Sequence, residues 1–239
     1  MEYIKSGKYQ TDEFMSKIMG PNPVKLTEEL LLDCKVAVCI LDCKISKGSV
    51  VCDLGSGQGL TSVFIAAEYG FKVYAADLWS DPCENRQFFE AQGLSETEII
   101  PVKADAADLP FEKSFFDAVI CVDSYNYFGR DREYLDSRLL PFVKQGGYVY
   151  IAVPGMKKNC HDNLPQELLL SWSPEQLEYM QDISYWTDIV SASGQAEVIE
   201  VSEMESNERY GRTGLCRKTN MLLTTEPQCR QAGADILIS

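Results

Sequence analysis

The segment VVCDLGSGQG, residues 50–59, restricts the possible folds of this chain more than any other. It begins with apolar residues of the kind found in strands that are covered on both faces. Three glycines follow at alternate positions, Gly55, Gly57 and Gly59. They allow the backbone to turn sharply and to approach a ligand without interference from a Cβ atom. The segment therefore predicts a buried strand that ends in a tight glycine turn.

The residues after this turn predict a helix and a second buried strand. Apolar residues recur at helical spacing from Leu60 to Tyr69, and Gly70 stands where helices commonly end. The run FKVYAA, residues 71–76, predicts the second strand, and Asp77 closes it. A carboxylate at this place is able to accept hydrogen bonds from both hydroxyls of a ribose. The pattern predicts a βαβ unit that carries a nucleoside site.

The glycine spacing distinguishes between classes of nucleoside ligand. The dinucleotide fingerprint G-x-G-x-x-G requires a third glycine at position 60, where this chain has Leu60. Here the third glycine comes one residue earlier, and Asp53 precedes the turn. An acid at this position suits a cationic ligand, such as the ammonium group of S-adenosylmethionine, better than a pyrophosphate. The pattern resembles the first motif of class I S-adenosylmethionine-dependent methyltransferases.

Length and composition indicate one domain that spans residues 1–239. At 45% hydrophobic residues, the chain is able to bury a full core. No apolar run approaches the roughly 18 residues of a membrane span, and no basic and apolar signal stands at the N-terminus, so we expect a cytoplasmic protein. The net charge of −14 argues against a nucleic-acid partner. Nine scattered cysteines and one histidine indicate reduced, buried thiols and no metal site.

Strand and helix patterns alternate along the rest of the chain. Helices are predicted at residues 12–18, 27–41 (with Thr27 as N-cap), 85–92 and 132–142, and later strands at 98–104, 116–122, 145–155, 197–201 and 219–225. The last two strands are expected to form an antiparallel pair. We therefore predict an α/β fold with a Rossmann-like, seven-stranded, mostly parallel sheet and helices on both faces.

Acids close four of the predicted strands or their turns: Asp53, Asp77, Asp105 and Asp123. Ligands of open parallel sheets bind outside the carboxyl ends of the strands. Ordinary loop acids would explain one or two of these positions more easily than four. The pattern therefore indicates a ligand site at this edge of the sheet.

Later segments extend the methyltransferase resemblance over about residues 27–154. The matching segments are VKADAADLPF (102–111), FFDAVICVDSYNYF (115–128) and PFVKQGGYVYIAVPG (141–155). The resemblance implies S-adenosylmethionine as cofactor, with Asp105 bonded to the adenine amino group and Ala106 offering its backbone N–H. The cofactor-binding residues that it implies are Asp53, Gly55, Ser56, Gly57, Gly59, Asp77, Leu78, Asp105, Ala106 and Asp123.

The loop after the fourth strand carries the candidates for acceptor contact. They are Asp123, Tyr125, Asn126 and Tyr127. A carboxylate beside aromatic rings suits a cationic or amine acceptor, although contact with the cofactor would equally account for the acid. Other segments are similar to a small-molecule branch related to cyclopropane-fatty-acid-synthase-like methyltransferases, in which a histidine is expected where this chain has Asn126. No general base is assigned, and His161 is expected at the surface.

The resemblance and the patterns together predict the organisation of the chain. We expect an N-terminal helical cap (1–45), a cofactor-binding core (46–154), a substrate-cover insertion (155–194) and closing strands (195–239). Aromatic residues of the insertion would contact substrate or fill the inside of a helical flap. The predicted function is methyl transfer to a small molecule, with an amine as one option. The alternatives are lipid modification of the cyclopropane-synthase kind, a nicotinamide-dependent reductase, and a non-catalytic cofactor-binding protein.

Overall fold

A computed structural model describes residues 3–18, 20–32, 45–170, 172–204 and 216–225. Its strands are β1 (Val50–Leu54), β2 (Lys72–Asp77), β3 (Ile99–Lys103), β4 (Phe116–Val122), β5 (Val143–Met156), β6 (Gln181–Asp182), β7 (Glu197–Glu203) and β8 (Cys216–Thr224). Its α-helices are α1 (Asp12–Ser16), α2 (Pro23–Leu31), α3 (Leu60–Tyr69), α4 (Pro82–Ala91), α5 (Tyr125–Phe128), α6 (Gln166–Leu169), α7 (Pro174–Leu177) and α8 (Ile183–Ser191). Among these described helices, none is long and apolar enough to cross a membrane.

The strands form one mixed sheet in the order β3-β2-β1-β4-β5-β8-β7. The first five strands in this order are parallel, whereas β8 runs antiparallel to both β5 and β7. The predicted Rossmann-like, mostly parallel sheet with a closing antiparallel pair is therefore confirmed. The two-residue strand β6, which pairs with the end of β5, was not predicted. The strand order reverses between β1 and β4, and this is where open parallel sheets form a crevice for ligands.

Strand β5 is longer than its parallel neighbour. Its pairing with β4 ends at Ala152, but its pairing with β8 continues to Met156, opposite Cys216. The end of β5 and the start of β8 therefore extend beyond β4 as an arm, and β6 pairs with β5 there at Gly155 and Met156. This arm leads directly into the segment that contains α6, α7 and α8.

Both faces of the sheet are covered by apolar layers. On one face, α1 to α4 pack on residues such as Val51, Val73 and Ile120. On the other face, α5 and α8 pack with strand residues such as Cys121 and Ile151. Alternation of neighbouring strand residues between the two layers explains why the strands are apolar throughout rather than at every second position.

The N-terminal segment is anchored to the helical face by buried polar and aromatic contacts. The buried carboxylate of Glu28 accepts hydrogen bonds from the backbone N–H groups of Lys5 and Ser6, at 2.9 and 2.7 Å. Phe14 is also buried, and its ring packs 5.5 Å from that of Phe88. These contacts hold residues 3–18 against the sheet domain.

Helix α1 ends at Ser16 rather than at residue 18, α4 spans Pro82–Ala91 rather than 85–92, and two other predicted helices differ more. Helix α2 begins at Pro23, because the side chain of Asn22 accepts hydrogen bonds at the helix start. Thr27 lies inside this helix and donates to the carbonyl of Pro23, so its prediction as N-cap was wrong. Residues 33–41 of the predicted helix lie outside the described residues, as do 42–44, 205–215 and 226–239.

The helix predicted at residues 132–142 was also wrong. A π-helical turn (Leu135–Leu139) and a 3-10 turn (Leu140–Phe142) occupy this stretch. Pro141 explains the break, because proline lacks the N–H group that a continuing α-helix needs. By contrast, α3 and β4 have the predicted bounds, and Ser173 and Gln176 form a capping box at the start of α7.

Candidate active site

A cavity of about 700 Å³ opens at the carboxyl ends of β1 to β4. Predicted site residues on its wall are Gly55, Ser56, Gly57, Asp77, Leu78, Asp105, Ala106, Asp123 and Tyr127. Residues of the N-terminal segment, among them Lys17, Ile18 and Pro21, line it as well. The topology thus brings acids from three separate strand ends to one cavity.

The three glycines of the turn serve different purposes. A Cβ atom at Gly55 would lie 2.4 Å from the Ser124 side chain, and one at Gly59 would lie 2.3 Å from the Phe89 ring. These two glycines permit close packing, and Gly59 does not line the cavity. Gly57 has a φ of +53° and no atom within 4 Å of its Cβ position. It therefore leaves the backbone open toward the cavity.

The carboxylate of Asp77 organises the loops around the cavity. Its Oδ2 accepts the N–H of Gly57 at 2.9 Å, and its Oδ1 accepts those of Trp79 and Ser80 at 2.8 and 2.7 Å. Asp77 is only 9% exposed, so its carboxylate is largely shielded from solvent. Since a carboxylate has about four acceptor positions, one remains for a ligand hydroxyl, on Oδ2.

Asp53 lies behind the glycine turn rather than on the cavity wall. It is 1% exposed, and its Oδ2 accepts hydrogen bonds from the hydroxyls of Thr61 and Ser62 on α3. Burial raises its pKa to about 6, even though these two hydrogen bonds act in the opposite direction. The structure therefore does not support direct contact between Asp53 and a cationic ligand. The carboxylate instead ties β1 to the first turn of α3.

The loops after β2 and β3 supply the opposite wall. Leu78 and Trp79 are exposed at the cavity, and Trp79 is 86% exposed. Asp105 accepts the backbone N–H of Ala107 at 2.8 Å, which fixes a turn in which Ala106 faces the cavity. Tyr134 donates to the carbonyl of Ala106 at 2.9 Å and so holds this turn from behind.

The loop after β4 separates the four acceptor candidates into two pairs. Asp123 and Tyr127 line the cavity, whereas Tyr125 and Asn126 are buried, at 0% and 2% exposure. Contact of Tyr125 or Asn126 with an acceptor is therefore not supported, because the short helix α5 turns both side chains into the protein. Asp123 has a φ of +61°, a left-handed conformation that is uncommon outside glycine and often found at functional sites.

Tyr127 connects the cavity to the insertion after β5. Its ring lies 5.1 Å from that of Tyr179, and the guanidinium of Arg130 lies 4.5 Å from the Tyr179 ring. Burial, followed by the charge of Asp123, raises the pKa of Tyr127. The phenol therefore stays protonated at neutral pH and remains a hydrogen-bond donor.

Other site residues were not predicted from the sequence. Trp79 could have been found, because it follows Asp77 at the end of a predicted strand. Lys17 and Gln58 also line the cavity. No local pattern marks Lys17, since its position depends on how the N-terminal segment packs.

The lone histidine is fixed by contacts within the insertion. The Nδ1 atom of His161 lies 2.8 Å from Asn159 Oδ1, and its Nε2 lies 3.0 Å from the carbonyl oxygen of Leu177. His161 is absent from the cavity wall. Within the described ranges, no group of three or more His, Cys, Asp or Glu side chains is arranged to hold a metal ion.

Comparison with known proteins identifies the class to which this site belongs. Residues 51–147 match the family described as a methyltransferase domain. The predicted resemblance to S-adenosylmethionine-dependent methyltransferases is therefore confirmed over this region. The matched region contains the glycine turn, Asp77, Asp105 and the loop after β4.

Among curated proteins, a sarcosine/dimethylglycine N-methyltransferase from Aphanothece halophytica is 27% identical over 180 residues. The match covers 70% of this chain and 63% of that protein, so the chain spans less than two thirds of its relative. A second protein of that name, from Halorhodospira halochloris, is 30% identical over 122 residues, covering 51% of this chain and 43% of the relative.

Among solved structures, phosphoethanolamine N-methyltransferase 2 of Haemonchus contortus in complex with S-adenosyl-L-methionine has a TM-score of 0.66 at 16% identity. The alignment covers 95% of this chain and 60% of that protein. At this identity the likeness shows the fold alone, which is the Rossmann-like methyltransferase fold.

The cavity fits S-adenosylmethionine. Its volume lies within the range of small-molecule sites, about 300–1,000 Å³. The buried Oγ of Ser56, on the cavity wall, has no hydrogen-bond partner within the protein, and Gly57 leaves room for a ligand beside it. Three carboxylates on the wall, those of Asp77, Asp105 and Asp123, suit a ligand with net positive charge.

Proposed function

We propose that this protein transfers the methyl group of S-adenosylmethionine to an amine nitrogen of a small molecule. The observation that carries the proposal is the cavity at the carboxyl ends of β1 to β4, which combines the open Gly57 turn with acids from three strand ends. The amine assignment is supported by the curated relatives, which are named as N-methyltransferases of sarcosine and dimethylglycine.

The residues on the cavity wall would act mainly by positioning. Asp77 would hold a ribose hydroxyl through its remaining acceptor position while its other bonds keep the glycine turn in place. Asp105 and Ala106 would bind the adenine edge, as the family resemblance implies. When bound, S-adenosylmethionine supplies an electrophilic methyl group, and holding the reactants at attack distance is worth about 7–11 kcal/mol.

The acceptor would lie between the loop after β4 and the insertion. Asp123 would attract the amine, and the rings of Tyr127 and Tyr179 offer faces to a cationic group. The contact between these two rings also supports the assignment of residues 155–194 as a cover over the substrate. An amine that enters as free base needs little assistance with proton removal, which is consistent with a wall that lacks histidine.

Transfer of label from methyl-labelled S-adenosylmethionine to defined amines tests the proposal. The panel should contain primary, secondary and tertiary amines, together with hydroxylated analogues of the same size and a phospholipid with an unsaturated chain. We expect label in one or more amines and none in the matched alcohols or the lipid. Binding of S-adenosylhomocysteine without transfer to any amine would leave cofactor binding intact and overturn the amine assignment.

A cytoplasmic location is part of the proposal. Its support is the state of the described cysteines, since Cys52, Cys83, Cys121 and Cys160 are all free thiols. Free thiols are typical of reducing compartments. Fractionation of cells with an antibody against the chain would test this location.

A further inference from the structure

Lys17 stands out on a cavity wall that otherwise carries negative charge. Among the lining residues that the structure describes, it is the single cation, whereas Asp77, Asp105 and Asp123 contribute carboxylates. It directly follows helix α1, in a segment that is far from the glycine turn in sequence. The role of such a cation is not explained by binding a sulfonium, an ammonium or an amine.

Contacts of the backbone and of the side chain both define the position of Lys17. Its backbone N–H caps the end of α1 by donating to the carbonyls of Met15 and Phe14, and Phe14 is buried. Its Nζ lies 3.2 Å from Gln58 Oε1 and 4.9 Å from the centroid of the Phe88 ring. The ammonium group is therefore held beside the tip of the glycine turn, between Gly57 and Gly59.

The partners of this ammonium group are uncharged. In the part of the chain that the structure describes, no carboxylate lies within ion-pair distance of Lys17 Nζ, and its contacts are an amide oxygen and an aromatic face. By comparison, Lys8 on the same segment is paired with Glu68 at 2.7 Å. Lys17 thus retains donors and an unneutralised charge at the cavity, as a site for a carboxylate requires.

We propose that Lys17 and Gln58 form a carboxylate subsite, and that its ligand is the carboxylate at the amino-acid end of S-adenosylmethionine. This inference rests on the proposed function. The location beside the glycine turn favours the cofactor over the acceptor, because Tyr127 and Asp123, which face the acceptor, belong to the loop after β4. A bond between Lys17 and this carboxylate would attach the N-terminal segment to the bound cofactor.

Calorimetric titration with two ligands tests the subsite. S-adenosylhomocysteine carries the amino-acid carboxylate, whereas methylthioadenosine has the same nucleoside without it. Lys17→Met keeps the aliphatic stem but removes the charge. We expect this variant to bind S-adenosylhomocysteine about tenfold more weakly. This is the lower end of the effect expected for losing a charge-assisted hydrogen bond, because the site is partly open to solvent. Its affinity for methylthioadenosine should equal that of the wild type, and Lys17→Arg should restore most of the loss.

Lys8→Met is the matched control, because it weakens the anchoring of the N-terminal segment without touching the cavity. If Lys17→Met acted by loosening the segment, both variants would lose affinity for both ligands, which would overturn the inference. Equal binding of S-adenosylhomocysteine by wild type and Lys17→Met would also overturn it. So would an effect limited to the KM of a carboxylated amine, which would assign the subsite to the acceptor. Failure of the wild type to bind S-adenosylhomocysteine would instead refute the proposed function.

Discussion

The buried carboxylate of Asp53 should make the stability of this protein depend on pH in a definite direction. Its pKa is raised from 3.8 to about 6, with desolvation as the largest cause. One pKa unit corresponds to about 1.4 kcal/mol, so the folded state disfavours the ionised form of Asp53 by about 3 kcal/mol. Between pH 4 and pH 6, the folded protein keeps a proton that the unfolded chain has lost.

The sign of the effect follows from this difference in bound protons. Stability falls as the pH rises through the window between the unfolded and folded pKa values, because the folded state binds more protons there. From pH 4 to pH 7, Asp53 should lower the free energy of unfolding by about 2–3 kcal/mol. Above pH 7 its contribution should be constant.

The variant Asp53→Asn isolates this contribution. An asparagine oxygen at the same place is still able to accept from the hydroxyls of Thr61 and Ser62, but it does not titrate. Urea unfolding of both proteins at several pH values between 4 and 7 gives the difference in their stabilities. Other acids titrate in both proteins, so their effects cancel in this difference.

We expect the wild type to lose about 2–3 kcal/mol relative to Asp53→Asn over this range. Parallel stability curves for the two proteins would refute the reasoning, since they would show that the folded state does not raise the pKa of Asp53. A wild type that gains stability relative to the variant would show that the hydroxyl bonds outweigh burial.

Three further predictions concern the cavity. Gly57→Ala and Gly93→Ala both place a Cβ in open space at a left-handed φ. Each variant should therefore lose about 1–2 kcal/mol of stability. Calorimetry should show weaker binding of S-adenosylhomocysteine only for Gly57→Ala, because, of these two glycines, only Gly57 lines the cavity. Asp77→Ala should lower both ligand affinity and the free energy of unfolding, the latter by about 1.5–3 kcal/mol, because three N–H groups lose their acceptor. Its control Asp81→Ala, which removes the cap of α4, should cost about 1 kcal/mol in urea unfolding with unchanged affinity. Hydrogen exchange in residues 155–194 should slow when S-adenosylhomocysteine is added, while β4 stays unchanged; full protection without ligand would identify the segment as fixed scaffold.

Much of the fold was predictable because its signals are local. The bounds of α3 follow from an apolar period and a glycine in a left-handed conformation, Gly70. The start of α2 is also encoded locally, by Asn22 before Pro23, although Thr27 is a competing N-cap signal. The break at Pro141 was likewise visible in the sequence. Both features are therefore present in the sequence, where competing local signals obscure them.

The site was less predictable because it depends on where side chains point and on packing between segments that are far apart in the sequence. Tyr125 and Tyr127 are separated by a single residue, yet one is buried and the other faces the cavity. The path of the chain after β4 determines which of the two side chains is buried. No periodicity in the sequence indicates this path. Lys17 reaches the cavity because Phe14 packs against Phe88, which is a tertiary contact between segments that are over seventy residues apart.

The arm formed by the end of β5 and the start of β8 also carries β6, which follows Tyr179 closely in the chain and pairs with Gly155 and Met156. A lone strand that extends beyond its sheet bends easily, whereas a paired ribbon is stiff. The pairing of Val153 to Met156 with β8, together with that of β6, therefore fixes the place where the segment after β5 leaves the sheet. A lengthened or shortened pairing on this ribbon would move Tyr179 relative to Tyr127 without altering a single residue of the cavity wall. If residues 155–194 cover the acceptor as proposed, changes in this pairing would alter acceptor preference.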